Sequence, residues 1–313
     1  MSEEYNALKE ENNVLKEEAY KLSEIRLLEI ELFSFCNRTC PWCPNSTIDR
    51  KHNQFLDWEI LKKIVQELKD QKFKGVITFS RYNEPLSLIS EFKERINYIH
   101  QELPNIKLVT NSNGDFVTEE VLKDLAIDEL SIMDYDYLGP EECEKRLNSW
   151  GYSVQEVRGS YLYATHPTYH TQILYCTNWG DNRVITDRGG YLKEYSTKER
   201  QIPCYEPKYF CGINYDGTVS PCCNVRNDIE QHKGYVLGDL HNNTLTEVLN
   251  THLATVFRAN CSVGIYNPNG PCVYCDNRGG RYTAEQGSIF YSKEDRYGGV
   301  TVTNKESEGG TEV

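Results

Sequence analysis

Three cysteines stand at C-x3-C-x2-C spacing, Cys36-Asn-Arg-Thr-Cys40-Pro-Trp-Cys43, shortly after a strand-like run over residues 27–33. The run has the length and bounds of a buried strand. The triplet therefore occupies the loop at the strand's carboxyl end, where parallel α/β folds place their active sites. Three thiolates this close can hold three corners of a cubane and leave its fourth iron open. A structural zinc site would want a fourth ligand nearby, and the loop has none.

The chain beyond this loop alternates. Helical patterns over residues 57–69, 88–100, 119–126 and 140–150 separate strand-like runs over 75–79, 107–110, 129–133 and 172–175, with another near Val154. Such an order predicts right-handed βαβ units and a parallel sheet. After about residue 200 the alternation stops. Residues 210–223 read as a hairpin turning at Asp216-Gly217, followed by a short strand over 236–240 and a helix over 246–258. Residues 1–24 carry Leu8, Leu15 and Leu22 at heptad spacing, an amphipathic helix that can pack on its own domain or pair as a coiled-coil homodimer. The expected division is an N-terminal helix (1–25), a barrel (26–200), a smaller cysteine-bearing domain (201–280) and a tail (281–313) whose polar end is disordered.

Composition narrows the function. A formal net charge of −13 leaves too little positive field for duplex nucleic acid. No apolar run reaches the roughly 18 to 20 residues that span a bilayer, and the N-terminus lacks a signal-peptide layout. The expectation is a cytoplasmic protein with no nucleic-acid or membrane partner. Twelve cysteines in a reducing compartment then argue for metal rather than disulfides.

The triplet resembles the signature of the radical S-adenosylmethionine (SAM) superfamily. The resemblance implies that Cys36, Cys40 and Cys43 hold a 4Fe-4S cluster whose open iron is chelated by SAM, with Trp42 near the adenine. Tyr82-Asn83-Glu84-Pro85 looks like the family motif that contacts the methionine amino group, with Glu84 as the carboxylate. The run over residues 110–115 offers Ser112 and Asn113 to the ribose hydroxyls. The implied chemistry is reductive cleavage of SAM to a 5'-deoxyadenosyl radical, which abstracts hydrogen from substrate. An external one-electron reductant such as flavodoxin or ferredoxin would start it.

The later cysteines resemble the Twitch domain, a shortened relative of SPASM. That implies an auxiliary 4Fe-4S cluster on Cys204, Cys222, Cys272 and Cys275, with Cys211 as the alternative to Cys204. A zinc site using Cys222-Cys223 is the competing reading, although adjacent cysteines do not easily take two corners of one tetrahedron. The expected fold is thus a partial (β/α)6 barrel followed by a small α+β domain with a hairpin and a helix. Segments 36–40, 43–45, 82–86, 113–116 and Arg188-Gly-Gly are similar to Twitch cyclitol dehydrogenases of aminoglycoside biosynthesis, which implies that Arg188 contacts substrate or SAM.

Of the remaining cysteines, Cys143 and Cys176 read as small buried hydrophobes. Cys261, in a polar segment, is a candidate hydrogen-atom donor, with Cys223 as a second. A donor on the opposite face inverts the radical carbon, and without one the product is a ketone. The expected function is dehydrogenation or epimerisation of a carbinol carbon in a sugar or cyclitol. The alternatives are radical modification of a ribosomally made peptide, by epimerisation or cross-linking, and a non-catalytic iron-sulfur electron-transfer protein. The 25 residues before the first strand are too few for a winged leader-binding domain, which weighs against the peptide.

Overall fold

A computed structural model describes residues 19–50, 52–158, 160–177, 187–195, 199–200 and 202–275. Leu8, Leu15 and the tail beyond residue 275 lie outside them. The described end of the expected N-terminal helix, Leu22–Glu24, is one 3-10 turn whose Leu22 is buried in the core.

Helical periodicity produces the expected helices. In α1 (Trp58–Asp70), Ile60, Leu61, Ile64, Val65 and Leu68 form the buried stripe, and Asp57 caps the N-terminus by accepting from Glu59 N at 2.6 Å. Next come α2 (Ile89–Glu102), α3 (Glu119–Lys123), capped by Thr118, and α4 (Pro140–Ser149). Between them run β1 (Leu27–Ile30), β2 (Val76–Thr78), β3 (Leu108–Ser112) and β4 (Glu129–Met133), parallel and adjacent in that order. All four residues of β1 are buried, as a strand covered on both faces requires.

After α4 the chain makes a hairpin, β5 (Ser153–Arg158) and β6 (Tyr161–Thr165), before β7 (Gln172–Cys176) joins β4 in parallel. The second arm of this hairpin was not anticipated: in Tyr161–Thr165 only Leu162 and Ala164 are buried, a weak alternation among aromatics. On the other side of β1, the smaller C-terminal unit opens with α5 (Glu206–Tyr209) and then sends β8 (Phe210–Ile213) alongside β1, also in parallel. Strands β9 (Thr218–Ser220) and β10 (Gly238–Asp239) complete one sheet, ordered β10-β9-β8-β1-β2-β3-β4-β7-β6-β5. Its six parallel strands thus include one from the C-terminal unit, and β8 welds that unit to the barrel.

The β8–β9 hairpin turns where expected: Gly217 takes φ 80° and Gly217 N donates to Asn214 O at 2.9 Å. Gly212, in β8, serves a different need, because a Cβ there would stand 2.5 Å from Arg81 Nη1. The helix expected over 246–258 is two helices, α6 (Leu245–Leu249) and α7 (His252–Ser262). Thr251 caps the second by accepting from Ala254 N, so the break is a capping signal inside a helical pattern. Among the described residues no helix is long and apolar enough to cross a membrane.

One buried charge network joins the two units. Glu31, immediately after β1 and fully buried, pairs with Arg50, whose Nε also donates to Asp228 Oδ2 at 2.9 Å. Asp228 in turn receives Arg226, a fully buried arginine. Removing one partner from such a cluster strands a charge away from water. Glu31→Gln should therefore cost about 3 kcal/mol, read as a lowered urea midpoint, while Glu59→Gln on the exposed Lys62 pair should leave the midpoint unchanged.

Candidate active site

The loops after β1 to β4 enclose a cavity of about 430 Å³. Cys36, Cys40 and Cys43 line it together with Trp42, Asn83, Glu84, Ser112, Asn113 and Arg188, so every barrel residue singled out in the sequence reaches one space. Burial pushes the Cys36 thiol up to about 12 and the Cys40 thiol up to about 11. Such thiols ionise when iron takes the proton's place, and three of them match the donor set of a site-differentiated cluster. None of the twelve cysteines is in a disulfide. Among the described residues no three His, Cys, Asp or Glu side chains converge as they would on a single metal ion; thiolates on a multi-iron cluster bind different irons.

Residues between the cysteines hold the loop in place, a role the sequence reading did not assign. Arg38 Nε donates to Asp115 Oδ2 at 2.7 Å and its Nη2 to Asp136 Oδ2 at 2.8 Å, tying the loop to the ends of β3 and β4. Asn37 Nδ2 also donates to Asp115, at 2.6 Å, and Asn37 Oδ1 accepts from Asn113 Nδ2 at 2.8 Å. Trp42 packs against Tyr135, ring centroids 5.5 Å apart.

Glu84 follows β2 and is 2% exposed. Its Oε1 accepts from Ser112 Oγ at 2.8 Å and from Leu86 N at 3.2 Å, and its Oε2 accepts from Asn113 N at 2.8 Å. Burial outweighs these bonds and pushes its carboxyl up to about 7. No ion pair joins Glu84 to a cation among the described residues, and the neighbouring Asn83 Nδ2 is buried without a hydrogen-bond partner. A buried acid lacking its cation, in a polar cavity beside three thiols, fits the ammonium of an amino-acid ligand. Ser112 and Asn113 face inward differently from the ribose expectation: the Ser112 hydroxyl supports Glu84, and the Asn113 amide is engaged with Asn37 and Asp115 N.

Arg188 enters from the other side. Its backbone sits at φ 51°, its guanidinium stands 6.0 Å from the Tyr82 ring, and its buried Nε has no hydrogen-bond partner. The following Gly189 is held to the C-terminal unit by His232, whose Nε2 donates to Gly189 O at 2.9 Å while its Nδ1 accepts from Arg226 N.

A second, tighter cavity lies beyond the barrel cavity, across a wall formed by Cys222, Cys223 and Asn224. Cys204, Cys222, Cys272 and Cys275 line it, and so does Cys261. Cys211 does not: it is fully buried in β8, opposite Leu28. Burial raises the thiols of Cys204, to about 12, and of Cys222, well above the ordinary range; four thiols on one cavity are the donor set of a fully ligated iron-sulfur cluster. Cys261 is therefore not at the barrel cavity. Of the two candidate hydrogen-atom donors it is Cys223 that lines the barrel cavity, while its neighbour Cys222 lines the second one.

With this geometry in place, comparison with known proteins gives a consistent answer. Residues 30–170 match the Radical SAM superfamily and residues 204–277 match SPASM, an iron-sulfur cluster-binding domain. The chain thus carries a Radical SAM domain and a SPASM domain, and is a radical SAM enzyme whose cofactors are SAM and iron-sulfur clusters. It is similar to the S-adenosyl-L-methionine-dependent 2-deoxy-scyllo-inosamine dehydrogenase of Niallia circulans, at 25% identity over 252 residues, 80% of this chain and 92% of that one. In fold it is similar to the crystal structure of BtrN in complex with AdoMet and 2-DOIA, with a TM-score of 0.61, 23% identity, and coverage of 84% of this chain and 96% of that chain. BtrN in an open conformation gives a TM-score of 0.54 at 21% identity, over 81% and 92% of the two chains.

The environment of Glu84 sets a pH dependence. Its raised pKa leaves the acid increasingly protonated below pH 7, and a protonated carboxyl cannot hold an ammonium. SAM affinity, measured by equilibrium binding, should rise about tenfold per pH unit up to about 7 and then level off. In Glu84→Gln it should be weaker and flat over that range; an equally steep rise in this variant would show that another group titrates.

Proposed function

We propose that this enzyme oxidises a carbinol carbon of a polyhydroxylated small molecule, a sugar or cyclitol. The observation that carries the reading is the single cavity shared by the triplet cysteines, the buried Glu84 and polar side chains such as Ser80, Arg81, Asn111 and Arg188, a lining suited to a hydroxyl-bearing ligand. The likeness to a cyclitol dehydrogenase supports it.

In this reading Cys36, Cys40 and Cys43 hold the first 4Fe-4S cluster, and Cys204, Cys222, Cys272 and Cys275 hold an auxiliary one. When bound, the first cluster with SAM supplies hydrogen-atom abstraction and the auxiliary cluster supplies a one-electron acceptor. Glu84 receives the amino group of SAM and Asn83 Nδ2 donates to its carboxylate, Trp42 and Tyr135 flank its base, and Arg188 orients substrate oxygen. Converting a carbinol to a ketone removes one hydrogen atom, one proton and one electron. The barrel unit, residues 26–200, supports the first loss and the auxiliary unit, residues 201–280, the last, with a flavodoxin- or ferredoxin-type reductant initiating turnover.

Epimerisation is the second reading, favoured by the Cys223 thiol at the cavity: a thiol that returns a hydrogen atom leaves the substrate's oxidation state unchanged.

Anaerobically reconstituted protein should hold about eight irons, and about four after either cysteine set is replaced by alanine. Reduced protein given SAM should release 5'-deoxyadenosine, and sugars or cyclitols should accelerate that release. Absence of SAM binding in fully loaded protein would overturn the reading. Solvent deuterium at the reacting carbon of recovered product marks epimerisation, whereas a ketone marks dehydrogenation.

A further inference from the structure

The wall between the two cavities is made by Cys222, Cys223 and Asn224. Among the described residues Asn224 alone lines both cavities. It is 3% exposed, and its Nδ2 donates to Cys275 Sγ at 3.4 Å. Its position is fixed by the backbone around it. Tyr82 Oη donates to Cys223 O at 2.7 Å, Arg81 Nη2 donates to Val225 O, and Arg226 Nη1 reaches across to Asn45 Oδ1 at 2.9 Å. A side chain so confined holds its donor on one sulfur.

We propose that Asn224 is a positioning residue for the auxiliary cluster, raising its reduction potential through the N–H···S bond to Cys275. The inference rests on the two-cluster assignment above. A donor aimed at a ligand sulfur stabilises the charge that builds up when the cluster takes an electron, and hydrogen bonds to sulfur are among the terms that set iron-sulfur potentials. Being on the wall, the same residue makes the auxiliary cluster the better acceptor on the side that faces the substrate cavity. No charged donor would do this as selectively, because a cation here would also act on the first cluster across the wall.

The test is an EPR-monitored redox titration of the reconstituted holoprotein, with the first cluster as internal reference. In Asn224→Leu the oxidised-to-reduced ratio of the auxiliary cluster at fixed potential should rise about tenfold, equivalent to about 59 mV for one electron. Asn224→Asp, which is isosteric but sets an anion against the sulfur, should shift it further the same way. Asn224→Gln, which keeps the donor, should recover part of the loss. The first cluster should titrate alike in the wild type, Asn224→Leu and Asn224→Gln, and should shift less than the auxiliary cluster in Asn224→Asp. If Asn224→Leu fails to load, Asn224→Asp decides. An auxiliary potential unchanged in a variant that retains its irons would overturn the role of Asn224 while leaving the two clusters standing. A wild-type protein with no iron at the Cys204, Cys222, Cys272 and Cys275 site would overturn both.

Discussion

Tyr82 and the charges around it hold the two cavities in register. Its ring has four guanidinium groups within 6.0 Å, those of Arg226, Arg50, Arg81 and Arg188, its backbone N–H donates to Glu31, and its carbonyl accepts from Asn45 of the cluster loop. Glu29 and Glu31, two residues apart at the end of β1, supply carboxylates to Arg81 and Arg50. Burying this much charge is costly unless each group is paired. The pairing is supplied from β1, β2, the cluster loop and the segment after Cys222 together. The C-terminal unit is consequently placed by electrostatics as well as by the β1–β8 ladder, and the wall residues follow from that placement.

The active site inverts this arrangement. Arg50, Arg81 and Arg226 are paired with carboxylates within the chain, while Glu84 lacks a cation among the described residues and the cluster thiols are pushed up by burial. Groups left in this condition are stabilised by what binds them, so cofactor loading and folding stability are linked.

Much of this was legible in the sequence because it is local. The cysteine spacing, the strand-end positions of Glu84 and the residues after β3, and the Asp216-Gly217 turn each depend on a few neighbouring residues. What the sequence left hidden depends on residues far apart. Asn37 and Arg38 reveal their role only once Asp115 and Asp136 arrive beside them. The polar segment around Cys261 suggested an accessible donor, yet α7 turns that thiol into the auxiliary cavity, where it is 2% exposed. Ser112, read as a ribose contact, is drawn to Glu84 by a pairing 28 residues apart. The adjacent pair Cys222-Cys223 argued against a shared tetrahedron, and the wall explains the arrangement: the two thiols serve different cavities.

In this arrangement one cluster meets SAM in the barrel while a second lies behind the wall. EPR of the fully reduced, reconstituted protein with and without SAM tests it most directly. Two cluster signals are expected, of which SAM perturbs one, and the Cys36, Cys40 and Cys43 to Ala variant should keep only the signal that SAM leaves unchanged. A single cluster signal, or SAM perturbing the signal that survives in that variant, would contradict it.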